Sequence, residues 1–248
     1  MKRIWDACGR AFDRFNSTSD SYSEIIERPA VERLVGDVSG ARILDLGCGA
    51  GPYSLWFAER GSRVSGLDLS ETMIALASQK AAEGGVRIDF RVADIRKPLP
   101  FTDAEFDLVF TATALHYVED LATLFGEIAR VMKATGHFVA SVLHPMSTAY
   151  FPTLSGKNQR EPQYFGEPLR SIETPWLDYD EVPDEGRRIM CHHHTTAEYF
   201  SAIASAGLRV TALCEPEPPA EFGEQNASRY EEAMRVPVYL ILKVEHPG

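Results

Sequence analysis

The sequence predicts an α/β fold, in which a mostly parallel sheet is covered by helices on both faces. Five short segments rich in Val, Ile, Leu and Phe alternate with helical patterns in the first 144 residues. Strands separated by helices of this length are joined by right-handed crossovers, so neighbouring strands run parallel. The chain has 248 residues, of which 44% are hydrophobic and 25% charged. That size and composition predict one globular domain large enough to enclose a ligand.

The predicted strands of this first part end in small or polar residues. They are "ARILDLG" (41–47), "SRVSGLDL" (62–69), "VRIDFRVAD" (86–94), "FDLVFTATA" (106–114) and "GHFVASVLH" (136–144). The helices between them are predicted at 53–60, 70–83 and 119–133. Ser70 is a good N-cap for the second helix, and Gly84 with Gly85 would end it.

The segment 145–191 differs in composition from the rest of the chain. It holds six of the 15 prolines and four aromatic residues between Tyr164 and Tyr179, without sustained periodicity. Such a segment suits a lid over a site, although a surface loop without function has the same composition. We therefore predict a single domain with N-terminal cap helices (1–40), a ligand-binding core (41–144), a lid (145–191) and a C-terminal helix and strand hairpin (192–248).

The last part of the chain predicts a helix and two strands. The helix covers about 195–206 and is followed by a turn at Gly207. The strands "LRVTALCEP" and "VPVYLILKVE" are consecutive, which predicts an antiparallel hairpin at the edge of the sheet.

Charge and cysteine content disfavour several classes of protein. The net charge is −11 and the pI about 5.1, with no run of Lys or Arg that could follow a nucleic-acid backbone. No stretch approaches the ~20 apolar residues of a membrane span, and the N-terminus lacks a signal-peptide core. Four scattered cysteines, Cys8, Cys48, Cys191 and Cys214, fit neither a zinc site nor a disulfide framework. We expect a cytoplasmic protein without a nucleic-acid or membrane partner, and the oligomeric state stays open.

The stretch "ILDLGCGAGPYS" places an acid and three glycines after the first strand. Gly47, Gly49 and Gly51 allow positive φ angles and close approach of a ligand to the backbone. A dinucleotide site would seat a pyrophosphate here, but Pro52 occupies the slot of its third glycine. Asp45 would repel a pyrophosphate and suits a cation instead. S-adenosyl-L-methionine, which carries an ammonium and a sulfonium but no phosphate, removes the conflict.

Two further acids end the next two strands. Asp68, in "GLDLS", can accept the hydroxyls of a ribose, a feature shared with dinucleotide sites. Asp94, in "VADI", can accept the adenine amino group while the Ile95 N–H reaches a ring nitrogen. Each acid alone is more often a solvated carboxylate or a helix cap. Three acids at successive strand ends favour S-adenosyl-L-methionine.

The segment from Ile43 to His144 resembles the class I S-adenosylmethionine-dependent methyltransferases. The motifs, in order, are D-x-G-x-G-x-G, "GLDLS", "VADI", "FDLVFTATALHY" and "EIARVMKATGHFVASVLHP". The resemblance implies a Rossmann-like, doubly wound seven-stranded sheet of order 3-2-1-4-5-7-6, with the last strand antiparallel and the lid inserted after strand 5. It departs at "MKATGHF", where "LKPGGRL"-like sequences are usual, so the turn before the fifth strand is expected to differ slightly.

The resemblance also implies a set of cofactor contacts and a product, S-adenosyl-L-homocysteine. Tyr22 would cover the methionine end of the cofactor, and Met73 would lie against the adenine. The full set of cofactor-binding candidates is Tyr22, Asp45, Gly47, Gly49, Gly51, Asp68, Leu69, Met73, Asp94, Ile95 and Thr111.

Methyl transfer asks the enzyme mainly to position a nucleophile and exclude water. The stretch "TATALHY" differs from the N/D-P-P-Y of amino-methylating enzymes, and no Pro-Cys nucleophile occurs in the core. The candidate catalytic bases are His116, His144 and His193, since histidine can remove a proton near neutral pH. For each, the alternative is a purely structural role in shaping the pocket. His192, His193 and His194 would alternate on a strand and form no metal site.

Aromatic residues complete the predicted acceptor pocket, although at least half of them would simply pack. They are Tyr53, Tyr117, Phe151, Tyr164, Phe165 and Trp176. The sequence therefore predicts an enzyme that methylates an O, N or C nucleophile of a small-molecule metabolite. The alternatives are methylation of a lipid-like quinone precursor, a non-catalytic S-adenosylmethionine-binding protein, and an NAD-dependent oxidoreductase, which Asp45 and Pro52 oppose.

Overall fold

The computed structural model describes residues 1–18, 21–151, 161–173 and 188–248. Nine strands occur in these ranges, and seven of them form one sheet. In chain order the strands are β1 (Arg42–Leu46), β2 (Arg63–Asp68), β3 (Asp89–Val92), β4 (Phe106–Ala112), β5 (Met132–Leu143), β6 (Leu169–Glu173), β7 (Arg188–His192), β8 (Arg209–Cys214) and β9 (Tyr239–Glu245).

The large sheet has the order β3-β2-β1-β4-β5-β9-β8. The strands β1 to β5 pair in parallel, whereas β9 is antiparallel to both β5 and β8. When the separate β6–β7 hairpin is left aside, this order is 3-2-1-4-5-7-6 with an antiparallel last strand. The predicted fold class and the predicted terminal hairpin are therefore confirmed.

Helices cover both faces of the sheet. They are α1 (Lys2–Asn16), α2 (Arg28–Val35), α3 (Pro52–Glu59), α4 (Glu71–Glu83), α5 (Leu121–Val131), α6 (Pro145–Ala149), α7 (Thr196–Ser205), α8 (Ala220–Gln225) and α9 (Ala227–Arg235). A π-helix, Ser23–Glu27, precedes α2, and a 3-10 turn, Leu115–Tyr117, follows β4. One buried core joins α5 and α7 to the sheet, and a second joins α2 and α3 to the opposite face. None of the described helices is long and apolar enough to cross a membrane.

Local sequence explains how these elements begin and end. The Ser70 hydroxyl accepts the Met73 N–H and caps α4, as predicted, and the helix ends at Gly84. Thr195 and Glu198 form a reciprocal capping box at the start of α7. The chain therefore enters both helices from a fixed position at the carboxyl edge of the sheet.

The fifth strand is longer than predicted, since it starts at Met132 rather than at 136. A Cβ atom at Gly136 would lie 2.9 Å from the Asp107 carbonyl oxygen and 3.0 Å from that of Phe106. The β4–β5 register shifts at the same place, between Phe106 and Leu108. Glycine is therefore needed where β5 passes closest to β4, and the predicted turn is replaced by an irregularity within the sheet.

The predicted lid contains regular structure that the sequence did not indicate. Its described part includes α6 and the β6–β7 hairpin, in which Arg170 lies opposite Cys191. Strand β7 packs against the 3-10 turn after β4, and Ile189 joins an apolar cluster with α1. The hairpin therefore lies over the carboxyl end of the central strands. Trp176 falls outside the described residues.

Candidate active site

A buried carboxylate stands at the end of β1. Asp45 is 2% exposed, and the Ser54 hydroxyl in the first turn of α3 donates to it over 2.6 Å. Burial raises the pKa of Asp45 to about 7, and the negative charge of Asp68 adds to this effect, while the Ser54 hydrogen bond opposes it. A carboxyl group in this condition would be stabilised in its ionised form by a cationic ligand.

The three glycines after Asp45 have distinct local environments. Their φ angles are 70° at Gly47, 54° at Gly49 and 83° at Gly51, a region in which side chains are strained. A Cβ atom at Gly47 would lie 2.5 Å from the Ala114 Cβ, whereas nothing lies within 4 Å of one at Gly49. The chain is therefore packed tightly at Gly47 and open at Gly49, where a ligand can reach the backbone.

Asp68 connects the glycine loop to the start of α4. Its two oxygens accept the Gly49 N–H over 3.0 Å and the Ser70 N–H over 2.8 Å. Burial raises the pKa of Asp68 in spite of these hydrogen bonds. Met73 is buried in the first turn of α4, and Leu69, between β2 and α4, is half-buried. The predicted contacts at Gly49, Asp68 and Met73 therefore lie at one corner.

The third predicted acid already has a cationic partner. The Arg96 guanidinium donates two hydrogen bonds of 2.8 Å to the Asp94 carboxylate, and this pairing lowers the pKa of Asp94. The Ala93 N–H donates to the Asp68 carbonyl oxygen, which fixes the end of β3 beside the end of β2. Ile95 packs against the buried core. An adenine amino group would have to share Asp94 with Arg96.

Two other cofactor candidates make contacts that the sequence did not indicate. Thr111 is fully buried, and its hydroxyl donates to the Leu46 carbonyl oxygen over 2.8 Å, which supports the end of β1 from below. The Tyr22 hydroxyl donates to the Arg229 carbonyl oxygen, and its ring packs edge-on against Phe222. Tyr22 is therefore tied to α8 and α9, away from the contacts that join the glycine loop.

His116 is the most deeply buried of the candidate bases. Burial lowers its pKa to about 3, with a further contribution from His194, so the ring is neutral at pH 7. Its ring centroid lies 4.1 Å from that of Tyr117, and Nδ1 has no hydrogen-bond partner among the described residues. A base with so low a pKa would hold a proton only weakly.

His144 has both ring nitrogens engaged. Nδ1 accepts the Met146 N–H over 3.0 Å and thereby caps α6, while Nε2 lies 2.8 Å from a carboxylate oxygen of Glu215. Nε2 therefore carries the proton that it donates to Glu215. A neutral ring in this arrangement has no free lone pair with which to remove a proton from a substrate.

His193 is also held on both sides. Nε2 donates to the Tyr164 carbonyl oxygen over 3.0 Å, and Nδ1 lies 2.7 Å from the Thr148 hydroxyl. These bonds join the end of β7 to Tyr164 and to α6. The rings of His192 and His194 stack on the other side, 6.1 Å apart, as the predicted alternation requires. Over the described ranges, no group of metal-binding side chains is found.

The aromatic residues predicted for the acceptor pocket have different surroundings in the structure. Tyr53 packs against Phe110 with ring centroids 4.7 Å apart, and Tyr117 packs against Trp5 at 5.5 Å. The Tyr164 hydroxyl bonds to Thr196 at the start of α7, and Phe151 is half-buried. Phe165 is 84% exposed.

Sequence analysis missed a buried carboxylate that lies close to Tyr53. Glu27 is 2% exposed, and burial raises its pKa to about 7. Ala30 and Val31, which are three and four residues further along, are also buried, so Glu27 shares the core-facing side of its helix. That spacing in "IIERPAV" was visible in the sequence and could have identified the residue.

The comparisons with known proteins agree with this fold. Residues 44–140 match a family described as a methyltransferase domain. An S-adenosylmethionine-dependent methyltransferase from Mesorhizobium loti is 33% identical, with a TM-score of 0.71 over 88% of this chain and 96% of that one. A second solved structure, from Listeria monocytogenes, is 24% identical and shares the fold, with a TM-score of 0.72 over 90% and 97% of the two chains.

A curated relative matches a shorter part. The ubiquinone biosynthesis O-methyltransferase of Xylella fastidiosa is 31% identical over 119 residues, which are 48% of each chain. The chain therefore spans about half the length of that relative. Together the family model, the full-length structural match and the sheet order define the class of protein. The chain belongs to the S-adenosylmethionine-dependent methyltransferases, and its cofactor is S-adenosyl-L-methionine.

Proposed function

We propose that this enzyme methylates an O, N or C nucleophile of a small-molecule metabolite. One observation carries the proposed cofactor site: the buried carboxyl of Asp45 and the half-buried carboxyl of Asp68, which accepts the Gly49 N–H, lie beside the open backbone of Gly49. The raised pKa values of both acids follow from burial without a cationic partner. The ammonium group of such a ligand would neutralise Asp45, and its ribose hydroxyls would donate hydrogen bonds to Asp68.

Each residue of this corner has a proposed task. Asp45 would bind the ammonium end of the cofactor, and the open backbone at Gly49 would lie along its chain. Asp68 has lone pairs left on both oxygens after its two backbone hydrogen bonds, so it can accept the ribose hydroxyls. Met73 would support the adenine, with Asp94 and Ile95 at its edge. When bound, the cofactor supplies an electrophilic methyl group on a sulfonium.

The remaining elements would close the site. We propose that residues 1–40 act as a cap and residues 145–191 as a lid of one domain. The β6–β7 hairpin packs against α1 and the turn after β4, so it can exclude water from the carboxyl edge. Exclusion of water favours methyl transfer, since it strengthens electrostatic interactions and prevents side reactions.

The charge of the protein supports a small acceptor. A net charge of −11 opposes a nucleic-acid substrate, because phosphate binding requires Lys and Arg side chains in a cluster. A quinone precursor is the second candidate, favoured by the similarity to ubiquinone O-methyltransferases and by the exposed Phe165 in the lid. That similarity covers about half of each chain, so the small-metabolite proposal ranks first.

A methyl-transfer assay tests the proposed function. The purified protein would be given S-adenosyl-L-methionine with a tritiated methyl group and a panel of phenols, catechols, amines, carboxylic acids and one polyprenyl phenol. Transfer to a water-soluble member, lost in Asp68→Ala, is the expected result. Transfer to the polyprenyl phenol alone would establish the second candidate. Binding of the cofactor without transfer to any acceptor would favour a non-catalytic binding protein, and binding of NAD alone would contradict both.

A further inference from the structure

Glu27 stands at the last position of the π-helix, with its side chain inside the protein. The residue is 2% exposed, and its Oε1 atom has no hydrogen-bond partner in the described part of the chain. The Ser141 hydroxyl on β5 is fully buried and likewise lacks a hydrogen bond among these residues. A buried polar atom without a partner costs free energy, and an enzyme retains such atoms where a ligand completes them.

The two groups lie near the carboxyl ends of the central strands, as the cofactor corner does. Ser141 is two residues from the carboxyl end of β5, and α2 packs its apolar side on β5 and β9. The Ser141 hydroxyl lies close enough to Glu27 to lower its pKa, and the charge of Glu27 acts on Tyr53, the second residue after Gly51. Glu27 therefore sits near the first turn of α3, the helix that follows the glycine loop. A π-helix at this position fits, because π-helical turns are frequent at functional sites.

The neighbouring cation, Arg28, is hydrogen-bonded to Glu24 rather than to Glu27. Arg28 is bound by two hydrogen bonds of 2.7 and 2.8 Å to Glu24 and lies 5.0 Å from the centre of the Tyr53 ring. Burial is the main cause that raises the pKa of Glu27 to about 7, and the charge of Glu24 adds to it. Ser141, Ser23 and Arg28 act in the opposite direction.

Hydroxyl groups complete the surroundings of Glu27. The Tyr239 hydroxyl on β9 lies 3.2 Å from the Ser23 hydroxyl and interacts with Glu27, as does Tyr53 on α3. Burial keeps both phenols neutral at pH 7, since it raises the pKa of each. With its pKa raised to about 7, Glu27 can change charge between pH 6 and pH 8, whereas the two phenols stay neutral.

We propose that Glu27 is the general base of the methyl transfer and that Ser141 helps to hold the acceptor beside it. The proposal rests on the proposed function, and it specifies the acceptor as a neutral molecule that presents an O–H or N–H group. The acceptor would donate this hydrogen to Glu27 Oε1. A carboxylate acceptor would be repelled by Glu27 and is excluded.

The step balances in atoms and charge. The new bond forms between the acceptor heteroatom and the methyl carbon, while the C–S bond breaks and its electron pair stays on sulfur. The acceptor's O–H or N–H bond breaks, and its proton moves to Glu27. A positive sulfonium and a negative carboxylate are thereby converted into two neutral groups, a change that a low-dielectric pocket favours.

The charge of the sulfonium provides a test that needs no acceptor. S-adenosyl-L-methionine carries the sulfonium and S-adenosyl-L-homocysteine does not, whereas both carry the ammonium that faces Asp45. A base beside the methyl group should therefore lose its proton when the first ligand binds. Calorimetric titration in two buffers of different ionisation enthalpy gives the number of protons released by each ligand.

We expect S-adenosyl-L-methionine to release about half a proton more than S-adenosyl-L-homocysteine at pH 7, since Glu27 with a pKa of about 7 is half protonated there. In Glu27→Gln this difference should vanish. The control Glu32→Gln, in the following helix α2, should retain it. Equal release by the two ligands, or a difference that persists in Glu27→Gln, would overturn the proposal. If Glu27→Gln does not fold, the wild-type difference between the ligands decides, since it should peak near pH 7.

Turnover provides the second readout. With the fastest acceptor of the panel, Glu27→Gln should lower kcat at least a hundredfold and abolish its rise with pH, which should lie below pH 7 because the bound sulfonium lowers the pKa of Glu27. The affinity for S-adenosyl-L-homocysteine should change less than threefold. Glu27→Asp should recover part of the rate. An unchanged kcat and pH profile in Glu27→Gln would contradict the role of Glu27 and leave the proposed function intact. Failure of the wild type to bind either sulfur ligand would instead contradict the proposed function.

Discussion

The Ser54 hydroxyl donates a 2.6 Å hydrogen bond to the buried carboxylate of Asp45, nine residues earlier in the chain. This bond joins the end of the first strand to the first turn of the following helix, across the glycine loop. It holds one carboxylate oxygen in place and opposes the rise in the pKa of Asp45 that burial causes. The pair therefore presents a fixed acid at the point where the loop opens beside Gly49.

The pKa of Asp45 predicts how ligand affinity depends on pH. The ionised carboxylate binds the ammonium of S-adenosyl-L-homocysteine, so affinity should fall as the pH drops below about 7, by up to tenfold per pH unit. Asp45→Asn should bind more weakly at pH 8 and lose this dependence. Calorimetric titration between pH 5.5 and 8.5 measures both effects. The same pH dependence in Asp45→Asn would show that another group controls binding.

Asp68 should contribute to affinity through its proposed contact with the ribose. Asp68→Ala should weaken the binding of S-adenosyl-L-methionine tenfold or more, because a buried pair of charge-assisted hydrogen bonds is lost. Asp89→Ala is the matched control, since Asp89 lies at the exposed start of β3. Unchanged affinity in Asp68→Ala would refute the placement of the ribose.

The two glycines of the loop should respond differently to substitution. Gly47→Ala combines a positive φ with a 2.5 Å approach to Ala114, which should destabilise the fold by roughly 2–4 kcal/mol. Gly49→Ala meets open space, so its loss of stability should be smaller, while the added methyl group obstructs the ligand. Urea unfolding and cofactor titration of both variants separate the two effects. Equal loss of stability with unchanged binding in Gly49→Ala would mean that no ligand lies there.

His144 should act as a helix cap rather than as a base. His144→Ala should cost about 1 kcal/mol of stability because the cap of α6 is lost, whereas His144→Asn retains a good N-cap. Turnover with the best acceptor should survive in His144→Asn. A hundredfold loss of kcat in this variant, with its stability preserved, would return His144 to the catalytic candidates.

The fold was predictable because strand composition and glycine positions are local properties of the chain. The acids at the ends of β1, β2 and β3 could be located from sequence for the same reason. The partner of Asp94 could not be assigned with confidence, since Arg96 can face either the acid or solvent. The contacts of Tyr22 could not be predicted at all, because they join residues 22 and 229, more than 200 positions apart.

The histidines show the same limit. Their positions at the carboxyl ends of strands made them reasonable bases, but Glu215 and Thr148, the partners of His144 and His193, come from distant segments. The short strands of the lid hairpin, "LRSIE" and "RIMCH", carry too few apolar residues to reveal a period of two. For Glu27, the spacing to Ala30 and Val31 indicates the core-facing side of the helix, whereas the depth of its burial depends on how α2 packs against β5, a tertiary property.

The most direct test of the site is the electron density of a crystal grown with S-adenosyl-L-homocysteine. The account predicts density with the ribose hydroxyls within hydrogen-bond distance of Asp68 and the ammonium beside Asp45, along the open backbone of Gly49. Density for the ligand elsewhere, with both carboxylates still lacking a ligand contact, would contradict the assignment of this corner as the cofactor site.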